Sequence, residues 1–380
     1  MSQFPHLQRL EEARAALADR GASALVCPPG PNARYLVGLA SGQSERLFLL
    51  VVPRERPPAA LVPELEKATA QDAPALPDDR VRVWGDDDDP HAALAAFAAD
   101  LDLDVTTDDL LVGDRLWAQH LLALREVVDA PLGLASAVCG PLRVRKDDAE
   151  LDCLRRTAEM ADRVVERLRT RGSGVVGTTE RTLAREIAAM LADEGGEGMP
   201  FDPVVAAGAN SARPHHEPGN RPIEAGEPVV LDFGALVDGY PSDQTRTLCF
   251  GSTPDDSVRA VHDVVRAAQR AGIAAVEPGA TAGAVDAAAR EVIAEASYGD
   301  AFVHRTGHGV GLEVHEAPYV TQASNRELEL GMVFSVEPGV YLEGAFGIRV
   351  EDLVVVTEDG GKRLNRSPRG WATGDREPTG

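Results

Sequence analysis

Apolar residues in the first third of the chain come in short runs separated by helical patterns. Residues 24–27, 47–52, 81–84 and 110–112 are compact aliphatic runs that read as strands. Between them, 91–100 and 116–127 repeat apolar positions three and four apart, as a helix does. That alternation predicts an α/β domain, a sheet flanked by helices. Ahead of it, residues 1–20 form a charged amphipathic stretch with Phe4, Leu7, Leu10, Ala13 and Leu17 on helical spacing. The stretch has no apolar signal-peptide core, so the protein is expected in the cytoplasm.

Residues 138–145, with Gly140-Pro141, read as a connector. Beyond it Asp147 and Asp148 can cap a long helix in which Leu151, Leu154, Met160, Val164, Val165 and Leu168 keep helical spacing up to Gly172. A second helix over 178–194 ends at Gly195-Gly196, and strands are predicted at 203–207, 229–236 and 241–250. Thr253-Pro254-Asp255-Asp256 reads as a helix start, with a hydroxyl cap, proline in the first turn and acidic groups at the positive end of the dipole. That helix runs to about Val276; another opens at Thr281 and runs to about Ala296, and strands return at 332–336 and 348–356. Two helix pairs, each followed by strands, predict an α+β domain with helices covering one face of a largely antiparallel sheet. The expected division is therefore an α/β domain over 1–140 and an α+β domain over 141–370.

The length, 380 residues, suits two such domains. No apolar run approaches the roughly 20 residues that span a bilayer, so no membrane partner is expected. With 61 acidic against 38 basic residues, the formal charge is −23, which argues against nucleic acid as a partner. Only Lys67, Lys146 and Lys362 are lysines. An acidic, lysine-poor surface suits concentrated salt, where self-repulsion is screened; equal stability and activity at low ionic strength would overturn that reading. A codon bias towards Arg, Ala, Gly, Asp and Glu explains the same composition. The run Asp86 to Asp89 reads as a solvated turn, and the four dispersed cysteines as reduced, mostly buried thiols.

Several familiar patterns fail on context. Gly172-Ser173-Gly174-Val175-Val176-Gly177 fits GxGxxG but follows a helix, not a strand, and reads as a turn between helices. No phosphate loop, GxSxG elbow or HExxH is present.

Other residues accumulate towards one chemistry. Asp232 lies in the apolar run Val229-Val230-Leu231-Asp232-Phe233, where a carboxylate needs a partner. Asp243 follows eleven residues on, past a turn at Asp238-Gly239. If the two strands form a hairpin, both aspartates can converge on one face, which is costly unless a cation neutralises them. A salt bridge from Arg246 to one of them is the competing explanation. Three of the nine histidines, His304, His308 and His315, fall in one glycine-containing stretch. Glu337 then ends an apolar strand pattern, and Glu351 interrupts another. Two Asp, two Glu and one His form a plausible ligand set for two divalent cations.

On these residues the sequence resembles the pita-bread metallopeptidases, which include methionine aminopeptidase, aminopeptidase P and Xaa-Pro dipeptidase. The matching positions span about 143–365, and the segment before Gly140 is similar to the creatinase-type N-terminal domain of the proline-specific branch. The resemblance implies metal ligands at Asp232, Asp243, His308, Glu337 and Glu351. Asp243 and Glu351 would serve both ions, Asp232 one and His308 the other. The ions would be Mn²⁺, with Co²⁺ or Zn²⁺ as alternatives. It further implies a substrate-gating His215, a His315 that hydrogen-bonds the scissile carbonyl, and a His304 that lines the pocket near the leaving group. Arg349 would anchor a metal-binding aspartate, and Glu337 would also carry the proton.

The implied reaction is hydrolysis of the bond before a proline in the second position of a peptide, by a homodimer. Two other readings compete: hydrolysis of a non-peptide amide on the same fold, as in creatinase, and a catalytically silent module that binds peptides or proteins. One position departs from the pattern. Some dipeptidases carry, four residues after the His315 equivalent, an arginine that holds the substrate's free carboxylate, and here Tyr319 stands there. That departure puts strict dipeptidase specificity in question.

Overall fold

The computed structural model describes residues 3–103 and 106–373, so Met1 and Ser2 of the amphipathic stretch lie outside the described residues. It divides into two compact units, Met1–Arg143 and Val144–Gly380.

In the first unit the alternating pattern gives α1 (His6–Arg20), β1 (Ala22–Cys27), α2 (Pro31–Val37), β2 (Leu49–Pro53) and β3 (Ala59–Pro63). There follow α3 (Lys67–Gln71), β4 (Val81–Trp84), α4 (Pro90–Asp100), β5 (Asp109–Val112), α5 (Ala118–Val127), β6 (Leu132–Leu134) and α6 (Ser136–Arg143). The strands make one sheet in the order β4-β3-β2-β1-β5-β6. It is mixed: β2 runs antiparallel to both of its neighbours, while β5 and β6 join β1 in parallel. Aliphatic strand residues such as Val26, Leu49, Val51 and Leu61 pack with Phe97 and Leu124 of the helices into one core. Asp86 to Asp89 form the solvated turn the sequence suggests: Asp86 pairs with Arg46, and Asp89 caps α4. The expected connector at 138–145 is instead largely α6. Burial of Val138, Cys139 and Arg143, with Arg143 donating to Asn32 at 2.8 Å, outweighs the backbone donor missing at Pro141.

The second unit opens with α7 (Asp148–Arg171), whose start is a capping box: Asp147 and Glu150 each accept the other's backbone N–H. Next come α8 (Glu180–Asp193), β7 (Val204–Ala207), β8 (Pro228–Phe233), β9 (Leu236–Val237), β10 (Tyr240–Pro241) and β11 (Gln244–Cys249). The rest is α9 (Asp256–Ala274), α10 (Ala282–Glu295), β12 (Gly307–Gly309), β13 (Glu316–Val320), β14 (Val333–Val336), β15 (Gly339–Leu342), β16 (Phe346–Arg349), β17 (Asp352–Thr357) and β18 (Gly360–Arg363). Between α7 and α8 the glycine-rich segment is a short turn, as expected.

Every pairing among β7 to β18 is antiparallel, with sheets ordered β11-β8-β7 and β13-β12-β14-β17-β18. Val164, Leu168, Leu183 and Ile187 of the first helix pair pack on Leu231 and Phe233. The second pair covers the other strands, Val285 meeting Phe334 and Val354 while Val261, Val265 and Ile293 meet Val340 and Ile348. Among the described residues no helix is long and apolar enough to cross a membrane.

Three predicted strands prove to be two each, and one helix starts late. The run at 348–356 breaks between β16 and β17 because the Glu351 N–H leaves the ladder for the Thr245 carbonyl at 3.1 Å. The runs at 229–236 and 241–250 break where Gly234 meets Ser242: a Cβ on Gly234 would lie 1.8 Å from the Ser242 carbonyl oxygen. The helix expected from Thr253 begins at Asp256 with Asp255 before it, and no hydroxyl caps it. Pro254 biases Thr253 towards extended backbone, so the turn cannot start there.

Candidate metal centre

The breaks in the strands are where the candidate residues sit. β8 and β11 pair with Asp232 opposite Thr245. Asp243 is two residues before Thr245, so the period of two puts it on the same side as Asp232. His308 is the middle residue of β12, whose close approach to β14 again depends on glycine: a Cβ on Gly307 would lie 1.8 Å from the Ser335 carbonyl oxygen. Glu337 follows β14 directly, held by its N–H to the Thr306 carbonyl at 2.8 Å. Glu351 occupies the break between β16 and β17.

Asp243, His308 and Glu351 each offer a ligand atom within 4.8 Å of the others, and all three are buried. The His308 Nδ1 donates to the Gly309 carbonyl at 3.2 Å, which leaves a bare lone pair on Nε2. That nitrogen faces Asp243 Oδ2 at 3.6 Å and Glu337 Oε1 at 3.3 Å. A lone pair among carboxylate oxygens is repulsive without a positive charge between them. Asp232 points the same way: Oδ2 accepts from Arg349 Nη2 at 2.6 Å, while Oδ1 is buried with no hydrogen-bond partner among the described residues.

The electrostatics agree with the geometry. Burial, followed by the charges of Glu351, Asp232 and Glu337, pushes the Asp243 carboxyl well above the usual range. Burial and then Glu337 and Asp232 do the same to Glu351. Asp232 is raised by burial against the pull of Arg349. Glu337 goes the other way, to about 2: burial would raise it, but positive charge placed at His308, where a cation would sit beside the neutral ring, and then at His304 and Arg349 holds it down. Four carboxylates and one imidazole with this excess of negative potential are a donor set that divalent cations of hard to intermediate character fit.

Neutral and cationic side chains brace the set. Thr245 Oγ1 donates to Glu351 at 2.6 Å and accepts from Arg349 Nε at 3.1 Å. Ser335 Oγ donates to Glu337 at 3.0 Å and accepts the His308 N–H at 3.0 Å. Arg349 Nη1 reaches Tyr341 OH at 3.0 Å, and that hydroxyl lies 2.8 Å from His304 Nε2. The His304 Nδ1 donates to the Arg305 carbonyl, so Nε2 is the acceptor for the tyrosine. Asp286 and Arg290 fix this corner from α10: Asp286 takes the Thr306 N–H and hydroxyl, and Arg290 donates to the His304 carbonyl.

The other residues named from sequence fall as follows. Arg349 pairs with Asp232, whereas Arg246 pairs with Asp352 at 2.6 Å and with neither aspartate of the cluster. His315 is exposed beside His308, ring centroids 4.1 Å apart. Burial and then His308 lower its pKa to about 4, and the His215 charge contributes, which puts exposed His215 nearby. His216 is bound to buried Glu180 at 2.9 Å. Sequence reasoning passed over Thr245, Ser335 and Tyr341. The serine and threonine give no signal of their own in a strand, and Tyr341 reads as an ordinary core aromatic. Their role is visible only once three dispersed strands are side by side.

Residues 152–358 match metallopeptidase family M24, and residues 9–110 match the creatinase/prolidase N-terminal domain. The chain belongs to metallopeptidase family M24, with a creatinase-type N-terminal domain ahead of the pita-bread domain. A probable dipeptidase PepE of Mycobacterium tuberculosis is 40% identical over 96% of this chain and 95% of its own length. Among solved structures, a recombinant prolidase from Thermococcus sibiricus has a TM-score of 0.91 at 35% identity, covering 98% of this chain and 100% of that one. A dipeptidase from Pyrococcus horikoshii has 0.88 at 37%, covering 95% and 98%.

Proposed function

We propose that the chain hydrolyses the peptide bond before a proline in the second position of a peptide, using two divalent ions held by Asp232, Asp243, His308, Glu337 and Glu351. The observation that carries this reading is the bare His308 Nε2 between Asp243 and Glu337, with the unpartnered Asp232 Oδ1 in the same cluster. Names printed for relatives, dipeptidase and prolidase, support the substrate class. Manganese suits four carboxylates and one imidazole better than zinc does. Resemblance supports a cytoplasmic homodimer.

Bound ions of this kind polarise the scissile carbonyl and make a water nucleophilic near neutral pH. The remaining chemistry belongs to the chain's own side chains. Glu337, whose carboxylate is held ionised by the positive charge around it, can take a proton and pass it to the proline nitrogen as the bond breaks. His315, neutral above about pH 4, can donate a ring N–H to the carbonyl oxygen as charge builds there. His304, oriented by Tyr341, lines the leaving-group side, and exposed His215 stands at the entrance. Arg349 fixes Asp232 and, through Tyr341, His304 in one hydrogen-bonded line. Proline calls for such a specialised site because its nitrogen carries no N–H in the peptide and its ring needs a dedicated pocket.

Asp243→Asn should abolish turnover of a Xaa-Pro substrate and reduce divalent metal retained after dialysis, measured by elemental analysis. Unchanged metal content and turnover would overturn the assignment. A metal-loaded wild type that cleaves no Xaa-Pro peptide would instead favour the non-peptide amide reading.

A further inference from the structure

Arg305 differs from the other arginines around the centre in having nothing to bind. Arg246 and Arg290 each neutralise a buried carboxylate, and Arg349 the partly buried Asp232. The Arg305 guanidinium makes no hydrogen bond or ion pair with any described residue; its contact is the ring of Tyr319, 4.6 Å from Cζ to centroid. Tyr319 is 45% exposed and Arg305 partly so, which puts this pair at the rim of the domain, open to a ligand.

Its position relative to the centre is set by register. Tyr319 pairs with His308 across β12 and β13, so the two side chains share a face of the sheet. Arg305 follows His304 directly, on the side of the centre assigned to the leaving group, and its charge is felt at His315. A guanidinium held over an aromatic ring by Cζ keeps N–H groups free, and two of them match a carboxylate in parallel bonds.

We propose that Arg305, seated on Tyr319, binds the free carboxylate of a Xaa-Pro dipeptide, and that the chain is therefore a dipeptidase. The inference rests on the Xaa-Pro reading above. In a dipeptide the carboxylate carbon is two bonds, about 2.5 Å, from the nitrogen that leaves. A cation next to His304 is where that charge emerges. Tyr319 stands where some dipeptidases have an arginine; here the tyrosine supplies the platform and the charge comes from the neighbouring strand entry. In a longer peptide the same place would hold a neutral amide, leaving Arg305 without its partner.

The test compares Ala-Pro with Ala-Pro amide, which differ only in that charge, on the full-length metal-loaded protein. The wild type should favour the acid, and Arg305→Gln should lower the acid-to-amide ratio of kcat/KM by about 10- to 100-fold, chiefly through KM for the acid. Arg305→Lys should recover part of the ratio. The double variant Arg305→Ser/Tyr319→Arg, which returns the cation to the other strand, should keep the preference for the acid. A ratio unmoved by Arg305→Gln overturns the proposal, as does equal cleavage of acid and amide by the wild type. Cleavage of neither by the wild type overturns the Xaa-Pro reading itself, and the proposal with it.

Discussion

Strands β2 and β11 are both buried along their whole length, and they are buried for opposite reasons. β2 reads Leu49-Leu50-Val51-Val52-Pro53 and is inside because nothing in it is lost by leaving water. β11 reads Gln244-Thr245-Arg246-Thr247-Leu248-Cys249, and its first four side chains would be driven out unless each met a partner. Each does. Gln244 donates to Asp162 and Ser367, Thr245 to Glu351, and Thr247 to the Arg349 carbonyl. Arg246 uses all five donors: on the Thr245, Glu351, Ser367 and Pro368 carbonyls and on Asp352. The first unit is thus held mainly by area, whereas the second spends stability on a polar interior that fixes where carboxylates point. Hydrophobic packing alone could not aim Glu351 and Asp232 at one place.

The comparison breaks first at Arg246. Arg246→Ala leaves Asp352 buried with Arg363 and Gln269 but without its closest cation, and takes a donor from four carbonyls. A loss of about 3–5 kcal/mol in denaturant unfolding is expected, and Asp352→Ala added to it should cost far less than its separate value. Leu50→Ala in β2 should cost about 2–4 kcal/mol from its cavity alone. If the Arg246 and Asp352 costs simply added, the network account of β11 would be wrong.

This contrast also explains what the sequence could reveal. β1, β2 and β5 were legible because burial wrote itself into their composition, and α7 because its apolar positions kept helical spacing over about five turns. The candidate metal ligands stood out for the inverse reason: Asp232 and Glu351 are charges in apolar runs, and such anomalies are expected where chemistry is done. What stayed hidden was what partners supply. The capacity of Gln244 and Arg246 to sit in a core depends on Asp162, Ser367 and Asp352, distant in sequence. The breaks at 234 and 350 depend on a carbonyl from another strand. α6 was masked by Pro141, since local propensity gave no view of the surface that Val138 and Cys139 cover.

A middle-sized effect separates buried polar groups with partners from one without. His262 in α9 is fully buried, and neither ring nitrogen has a hydrogen-bond partner among the described residues. Burial, then the Arg266 charge, lowers its pKa to about 3; the Thr247 backbone opposes the shift without meeting the geometry of a hydrogen bond. The unfolded chain then binds a proton that the folded one refuses, so this term is neutral above the unfolded value near 6.5 and costs stability as pH falls below it. Between pH 6.5 and 5 the loss should reach about 2 kcal/mol. His262→Leu should remove that slope from the pH dependence of denaturant midpoints; a slope that survives would assign it elsewhere.

The smallest expected effect tests whether the two regions differ at every level or only in their interiors. Helix α4 in the first unit is capped by Asp89, which accepts the His91 N–H at 2.9 Å. Helix α8 in the second is capped by Thr179, which accepts the Thr182 N–H at 3.2 Å. Both caps lie at the surface, where water competes equally and neither the aliphatic core nor the polar network takes part. Asp89→Ala and Thr179→Ala should each cost about 1 kcal/mol, read as faster amide hydrogen exchange in the first turn of the helix concerned. Equal penalties would confine the difference between the regions to their cores. A markedly larger penalty at Thr179 would mean that the polar network reaches the helix ends, because loosening α8 would then disturb Glu180, which holds His216, Asn210 and the Ala207 N–H.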